Sequence, residues 1–214
     1  MYDRGMQPEM AGIKHMFQTG LLLILLTFPQ ISSAGEATDV VARLQSALLS
    51  TMKNADRLGF EGRYRQLEPV VIASHDLPFI ARIAVGRHWR TLSEKQKERM
   101  ISVFRRLSIA SYAGRFDSYK GKKFKIGIEK PLPRGRGRMV ESQLIKPDGD
   151  KVQFTYLLHQ VKNQWRIVNI IVDGVSDLAL KRAEYNSLLN REGFQALIAK
   201  IEEQIRGYAE GTKK

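Results

Sequence analysis

The hydrophobic periodicity of this chain changes twice, and those changes decide which folds are open to it. Residues 38–116 repeat their apolar positions at helical spacing, residues 122–172 alternate apolar and polar side chains, and residues 178–208 return to helical spacing. Because the helices and the strands are grouped along the chain, the order predicts an α+β domain.

Six helices are predicted, over residues 38–58, 61–72, 77–86, 93–116, 178–190 and 193–208. Gly59 ends the first helix, and Pro69 weakens the second. Asp76 is the expected cap of the third helix. Ser93 and Gln96 form a capping box at the start of the fourth, which we expect to be the longest.

Four strands are predicted, the first from residue 122, then over 139–146, around 152–158 and over 165–172. In the first, Phe124, Ile126 and Ile128 alternate with polar residues or glycine. The turns at 147–150 and 162–163 are short, which indicates an antiparallel four-stranded meander. The last strand, WRIVNIIV, is apolar on both faces, and this pattern predicts cover on both sides.

The N-terminus carries an apolar run at residues 21–28, followed by Pro29 and small residues. With Lys14 before the run and Ser32 and Ala34 at the cleavage positions, residues 1–34 are predicted to be a signal peptide and 35–214 the exported domain. Met10 begins a more compact signal than Met1. The alternative is an uncleaved membrane anchor, for which the run is short.

The formal net charge is +13, and the predicted cleavage leaves it unchanged because the removed segment is neutral. Arg134, Arg136 and Arg138 alternate with glycine as in RNA-binding tracts, but export separates the chain from nucleic acid. The segment is interpreted as a solvated loop, and the expected anionic partner is a membrane surface or lipid head group. The chain contains no cysteine, so packing must hold the exported domain together.

No residue pattern points to catalysis. His75, His88 and His159 lie in different predicted elements, so we expect no metal site and no cofactor. Ser74, His75 and Asp76 have the residue types of a catalytic triad, but consecutive residues cannot form a relay. They are interpreted as a helix boundary capped by Ser74 and Asp76. The patterns of nucleophile elbows, dinucleotide sites and P-loops are absent from the sequence, so we expect a protein that is not an enzyme.

Three groups of segments carry a resemblance to a known family. They are ARIAVGRHW at 81–89 with LSEKQ at 92–96 and Phe104, FTY at 154–156 with QWR at 164–166 and DGVS at 173–176, and NSLLN at 186–190 before REGF at 191–194. In order and spacing they resemble the MlaC family, the periplasmic lipid-carrier component of the ABC-type toluene-tolerance/Mla system. DLPF at 76–79, SIASY at 108–112 and RFD at 115–117 resemble its hopanoid-associated HpnM subgroup.

The resemblance implies helices packed on the meander around a deep apolar pocket. It implies a carrier that takes a phospholipid or a hopanoid between an inner-membrane ABC-type or other lipid-export complex and an outer-membrane acceptor. Because of export, we expect no nucleic-acid partner. The side chains expected to line or border the pocket are Phe79, Ile83, Trp89, Phe104, Tyr112, Phe154, Trp165 and Val175.

Two other interpretations stay open. A basic accessory or scaffold protein, associated with hopanoid synthesis or the membrane surface, would have a filled core in place of the pocket. An exported enzyme on a related fold would place a buried carboxylate opposite a histidine.

Overall fold

The computed structural model describes residues 37–212 apart from 134 and 136. The predicted signal peptide, residues 1–34, lies outside the described residues, as do Arg134 and Arg136 of the arginine–glycine segment. Each helix within the described ranges is too short or too polar to cross a membrane.

The helices are α1 (Ala37–Lys53), α2 (Ala55–Ser74), α3 (Leu77–Val85), the 3-10 helix η1 (Gly86–Arg90), α4 (Glu94–Arg115) and α5 (Asp177–Ala209). The predicted first helix is therefore divided at Asn54, earlier than Gly59. The longest helix is α5 with 33 residues, whereas α4 has 22. The two helices predicted at the C-terminus are the two segments of α5.

Two glycines bend the long helices without ending them. Gly59 inside α2 has φ 59° and ψ −175°, and Gly193 inside α5 has φ 80° and ψ −173°. Both conformations lie in a region that only glycine enters readily. The helix breaks expected at these positions are therefore kinks.

The predicted helix caps are present where α3 and α4 begin. The Phe79 N–H donates to Asp76 Oδ1 at 3.1 Å. The Gln96 N–H donates to Ser93 Oγ at 3.3 Å, and the Ser93 N–H donates to Gln96 Oε1 at 2.9 Å. The second pair is the expected capping box. Ser74, in contrast, is the last residue of α2 and donates to the Val70 carbonyl at 2.7 Å, so it is not a cap.

The strands are β1 (Lys123–Pro131), β2 (Arg138–Ile145), β3 (Lys151–Val161), β4 (Gln164–Val172) and β5 (Val175–Ser176). They form one antiparallel sheet in the order β1-β2-β3-β4-β5, which confirms the α+β fold and the meander. The sheet has five strands and not four, because Val175 and Ser176 fold back on Val172 and Ile171 before α5 begins.

A bulge in β1 interrupts the alternation of apolar and polar residues that the sequence predicts for this strand. Ile126 pairs with Ser142 and Glu129 with Val140, so β1 carries one extra residue between the two pairs. Ile128 is consequently 49% exposed. Glu129 turns to α1, where its carboxylate accepts hydrogen bonds from the Thr38 N–H at 3.0 Å and hydroxyl at 2.7 Å.

The apolar interior consists of two clusters. One lies among α3, α4 and α5 and includes Leu107, Tyr185 and Leu197. The other lies between α1, α2 and the sheet and includes Leu44 and Ile167. The candidate site lies where these clusters meet.

Candidate functional site

A cavity of about 560 Å³ separates α4 from the sheet. Phe104 and Leu107 of the first cluster line it together with Tyr156 and Ile167 of the second. Leu48 of α1 also lines it. The hollow is therefore walled by both clusters, and its volume is within the usual range for small-molecule pockets.

The wall formed by α4 carries residues at helical spacing. They are Phe104, Leu107, Ser108, Ser111, Tyr112, Arg115 and Phe116. The Ser108 hydroxyl donates to the Phe104 carbonyl of its own helix at 2.9 Å, so it adds little polarity to the wall. This is the side of α4 on which the sequence places Phe104, Leu107 and Ser111.

The sheet wall depends on a bulge in β4. Leu157 pairs with Asn169 and Leu158 with Ile167, which leaves Val168 without a partner opposite it. Beyond such an extra residue the alternation of a strand changes phase. Ile167 before the bulge and Val168, Ile170 and Val172 from the bulge onward accordingly line the cavity, and Asn169 lines it as well. The change of phase thus brings apolar residues from both alternating sets of β4 to the cavity.

Stacked and edge-on aromatic rings connect the two walls. The ring centroids of Tyr112 and Phe116 lie 5.9 Å apart, those of Phe116 and Phe124 6.4 Å, and those of Phe124 and Phe154 6.1 Å. Phe154 and Tyr156 continue the series at 6.0 Å. Of these five, all but Phe124 line the cavity. This part of the wall is thus aromatic and largely apolar.

The histidine in the cavity wall is held neutral. The His75 Nδ1 lies 3.1 Å from the Val71 carbonyl and 2.8 Å from Ser74 Oγ, and the Tyr112 hydroxyl lies 3.0 Å from its Nε2. The tautomer that fits carries its proton on Nδ1 and accepts the Tyr112 hydroxyl on Nε2. Burial lowers the pKa of His75 to about 4, against a smaller opposing effect of the Val71 carbonyl. Burial also raises the pKa of Tyr112 well above its usual value.

Tyr156 makes the second buried polar contact in the wall. Gln45 Nε2 of α1 donates to Tyr156 Oη at 3.2 Å and to Ser142 Oγ at 2.8 Å. The Ser142 hydroxyl donates in turn to the Lys125 carbonyl at 3.1 Å. Burial raises the pKa of Tyr156 to about 12, so its hydroxyl stays neutral.

The rim of the cavity combines cations with exposed apolar side chains. We define the rim as Arg115, Lys122, Val175, Asp177, Leu180 and Lys181, all of which line the cavity. Val175 is 52% exposed and Leu180 59%. Lys181 Nζ lies 3.1 Å from Asp177 Oδ1, and Lys122 Nζ donates to the Ser118 carbonyl at 3.0 Å. Three cations thus share the rim with one carboxylate.

Four of the eight predicted pocket residues line the cavity, namely Phe104, Tyr112, Phe154 and Val175. The structure places the other four elsewhere. Trp89 packs on the first cluster from η1, and Trp165 packs on the second with the Arg138 guanidinium 5.6 Å from its ring. Phe79 and Ile83 are half-buried on α3.

The rotation of α3 about its axis explains why Phe79 and Ile83 do not line the cavity. The sequence predicts an inward stripe that includes both residues. The buried stripe instead passes through Leu77, Ile80, Ala81, Ala84 and Val85, which is a rotation of the helix by about one residue. Leu77 and Ile80 therefore reach the cavity. Phe79 instead meets the His159 ring at 4.7 Å.

Several cavity residues were not predicted. His75, Ser108, Ser111 and the rim cations were missed, as was most of β4. One available signal was the pair of serines within the apolar stripe of α4, since small polar side chains on such a face fill less space than a packed core requires. Lys122 and Lys181 carry no comparable signal in the sequence.

The described side chains do not place a carboxylate against the cavity histidine. Asp76 Oδ2 instead lies 2.8 Å from His159 Nε2, and neither residue lines the cavity. Over the same described ranges, histidine, aspartate and glutamate nowhere gather in groups of three that would hold a metal ion.

Comparisons with known proteins agree with this architecture. The family model described as MlaC protein matches residues 42–203. An intermembrane phospholipid transport system binding protein MlaC from Haemophilus influenzae is 23% identical over 131 residues, which are 60% of this chain and 61% of that protein. The chain thus aligns with less than two thirds of that relative.

Two further relatives extend over more of the chain. The toluene tolerance protein ttg2D of Pseudomonas putida is 23% identical over 186 residues, covering 83% of this chain and 85% of that protein. A phospholipid-binding protein from Ralstonia solanacearum, solved in complex with a phospholipid, superposes with a TM-score of 0.71 at 17% identity. That match covers 81% of this chain and 99% of the other, and it shows a shared fold.

Proposed function

The chain belongs to the MlaC family, and from this premise we propose that it is a periplasmic carrier that holds the apolar part of a lipid in its cavity. The observation that supports this function is the apolar hollow of about 560 Å³ between α4 and the sheet. A tail of about 16 carbons gains on the order of 10 kcal/mol when it leaves water. Such a lipid crosses an aqueous compartment slowly unless a protein encloses it.

The proposed cargo is a phospholipid. The names of the Haemophilus influenzae relative and of the Ralstonia solanacearum neighbour refer to phospholipids. A hopanoid is the alternative cargo, supported by the sequence resemblance to the HpnM subgroup. Phe104, Tyr112, Phe154 and Val175 are the predicted residues that we propose contact the apolar part, since all four line the cavity.

We assign the head group to the rim. Arg115, Lys122 and Lys181 supply three positive charges there against the single carboxylate of Asp177. A phosphate accepts charge-assisted hydrogen bonds from arginine and lysine. With an anionic head group at the rim, the hydrocarbon chain of the lipid lies in the cavity against its apolar walls.

The proposed route follows from export. Residues 1–34 direct the chain to the periplasm, and the domain of residues 35–214 takes lipid between an inner-membrane ABC-type or other lipid-export complex and an outer-membrane acceptor. Carriage of this kind requires binding and release but no bond making. The buried polar groups support a carrier, because His75 and Tyr156 are bonded within the wall and stay neutral.

Native mass spectrometry tests the function. Protein purified from the periplasm is expected to carry a lipid adduct whose fragments identify a phospholipid or a hopanoid. An empty protein that also extracts no lipid from vesicles contradicts the proposal and favours the scaffold interpretation.

A charge comparison tests the rim. The triple variant Arg115→Gln, Lys122→Gln and Lys181→Gln should extract phosphatidylglycerol from vesicles about 10-fold less efficiently than the wild type, since each lost phosphate contact removes about 1 kcal/mol or less at an exposed site. The matched control changes Lys95, Arg105 and Lys151, three exposed cations outside the cavity, to glutamine. Equal losses in both variants would show that net charge, and not the rim, attracts the lipid.

A further inference from the structure

Resting on the proposed carrier function, we propose that Ser111 and Asn169 donate hydrogen bonds to an ester carbonyl of the cargo. The cavity then selects acyl glycerolipids over lipids of similar size that have no ester, such as dialkyl ether lipids and polycyclic lipids. Two hydrogen-bond donors that face the cavity, and their depth below the rim, support this selection.

The first donor is the hydroxyl of Ser111, which is half-buried on the cavity side of α4. This hydroxyl forms no hydrogen bond with any residue that the structure describes. Ser108, one turn earlier in the same wall, differs because its hydroxyl donates to the Phe104 carbonyl at 2.9 Å. The Ser111 hydroxyl is therefore free to bond a ligand in the cavity.

The second donor is the side-chain amide of Asn169, in the sheet wall. Ser176 Oγ accepts from the Ala179 N–H at 3.1 Å and donates to Asn169 Oδ1 at 3.1 Å. Because Oδ1 is the atom that meets Ser176, the N–H groups of Nδ2 remain, and they donate to no acceptor within the described ranges. The walls of α4 and of the sheet thus each present one unused donor.

The remaining polar side chains of the apolar wall are already hydrogen-bonded within the protein. The His75 ring bonds to the Tyr112 hydroxyl at 3.0 Å, and Tyr156 Oη accepts from Gln45 Nε2 at 3.2 Å. A lipid that enters the cavity therefore shields only the two unused donors from water. A donor that is buried without an acceptor lowers affinity by about 5- to 150-fold. A cargo that carries an acceptor at their depth avoids this loss.

The depth of Ser111 fits the spacing of groups in a glycerolipid. Ser111 and Arg115 are four residues apart, so they share one side of α4 at a separation of about 5.4 Å along its axis. Arg115 belongs to the rim, where we assign the phosphate. From phosphorus to the carbonyl carbon of the central glycerol ester there are five bonds of about 1.5 Å, which advance about 6 Å when extended. A phosphate at Arg115 thus places an ester carbonyl at the level of Ser111.

Asn169 lies at the same end of the cavity. Its partner Ser176 directly precedes Asp177, which belongs to the rim. Both donors are therefore one step inside the charged rim. Beyond them the α4 wall continues to Leu107 and Phe104, against which the hydrocarbon of the lipid packs.

A competition between two lipids tests the ester contact. Delipidated full-length protein is incubated with vesicles that contain equal amounts of dipalmitoyl phosphatidylglycerol and its dihexadecyl ether analogue, which share the head group and the chain length. The protein is separated from the vesicles, and mass spectrometry counts the two lipids bound to it. We expect the acyl lipid to be enriched about 10-fold, since an ether oxygen is a poor substitute for a carbonyl acceptor.

Variants locate the preference. In the double variant Ser111→Ala and Asn169→Leu the two lipids should bind within about twofold of each other, because neither wall then presents an unused donor. Ser111→Ala alone leaves the contacts between β4 and α5 intact and should lower the enrichment about threefold. Ser108→Ala is the matched control: it removes a hydroxyl that already bonds within the helix, so the wild-type ratio should persist.

The outcomes distinguish this proposal from the carrier function. Equal amounts of the two lipids on the wild type, or an enrichment that survives both Ser111→Ala and the double variant, overturns the ester contact while the carrier function stands. A ratio that falls as far in Ser108→Ala as in Ser111→Ala assigns the preference to the general polarity of the wall and overturns it as well. Protein that takes neither lipid from the vesicles contradicts the carrier function itself.

Discussion

His75 shows how one side chain joins the layers of this molecule. Its imidazole bonds to α2 through the Val71 carbonyl and to α4 through the Tyr112 hydroxyl. Its backbone forms a parallel bridge with Ile167 of β4. A neutral ring meets all of these partners, and a protonated ring would direct a second N–H at the Tyr112 oxygen inside an apolar wall. Stability therefore depends on the protonation state of His75.

The expected pH dependence has a defined sign. The pKa of His75 is lowered from 6.5 to about 4 in the folded state, so the unfolded chain takes up the proton first as the pH falls. The stability conferred by the neutral ring is complete above pH 6.5 and is lost progressively towards pH 4. Between pH 7.5 and 5 the free energy of unfolding should fall by about 2 kcal/mol from this group alone.

Urea unfolding of the wild type and of His75→Asn at both pH values measures this contribution. The variant is less stable at pH 7.5 but should lack about 2 kcal/mol of the pH-dependent loss. Identical pH slopes in the two proteins would assign the dependence to other groups.

At the level of elements, the two glycine kinks set the paths of α2 and α5. An L-residue in the conformation of Gly193 costs about 1 to 3 kcal/mol. A Cβ placed there meets no atom within 4 Å, so the cost is conformational and not steric. The kink lets both segments of α5 pack, with Tyr185 before it and Leu197 after it in the same cluster.

We therefore expect Gly193→Ala to lower the free energy of unfolding by about 1 to 3 kcal/mol. Chemical denaturation measures the change. Gln195→Ala, at an exposed position two residues on, is the control and should stay within about 0.5 kcal/mol of the wild type. If Gly193→Ala leaves the free energy of unfolding unchanged, α5 straightens in the variant without loss of packing.

The sequence predicted the helices and strands better than it predicted which of their faces point inward. The strand pairing followed from alternation and short turns, and Lys162 and Asn163 do form a tight turn with positive φ angles of 49° and 63°. The α3 stripe was misplaced by one residue, because periodicity gives a face only to within a neighbouring position. The bulge at Val168 depends on the partner strand, which the sequence of β4 does not contain.

The candidate site was predictable in part for a related reason. An apolar stripe shows which side of an element faces inward, and Phe104 and Phe154 were found in this way. It does not show whether the inward side is filled by neighbours. Trp89 and Trp165 satisfy the same pattern, yet they pack on the clusters. Whether such a residue lines the cavity or packs on a cluster depends on how the helices and the sheet assemble.

At the level of the whole molecule, the proposed lipid would complete the interior. Its chain would lie between Phe104 and Leu107 on one side of the cavity and Tyr156 and Ile167 on the other. Binding to the folded state alone stabilises it by about 2.7 kcal/mol at a ligand concentration of 100 times Kd. For a domain of this size that corresponds to a rise in Tm of about 5 to 10 °C.

Differential scanning fluorimetry of delipidated and reloaded protein tests this expectation. Reloading with phosphatidylglycerol should raise Tm by about 5 to 10 °C in the wild type. An unchanged Tm in reloaded wild-type protein that mass spectrometry shows to be occupied would contradict a chain shared by both clusters.

The division of the interior into two clusters also has a consequence for the release of a bound ligand. A ligand that contacts both clusters would hold them together across the cavity. When it is removed, the backbone amides of α4 and of β4 should therefore both exchange faster with deuterium. On the proposed function, release of the cargo would require only that the two clusters separate at the cavity, while the rest of the fold stays unchanged.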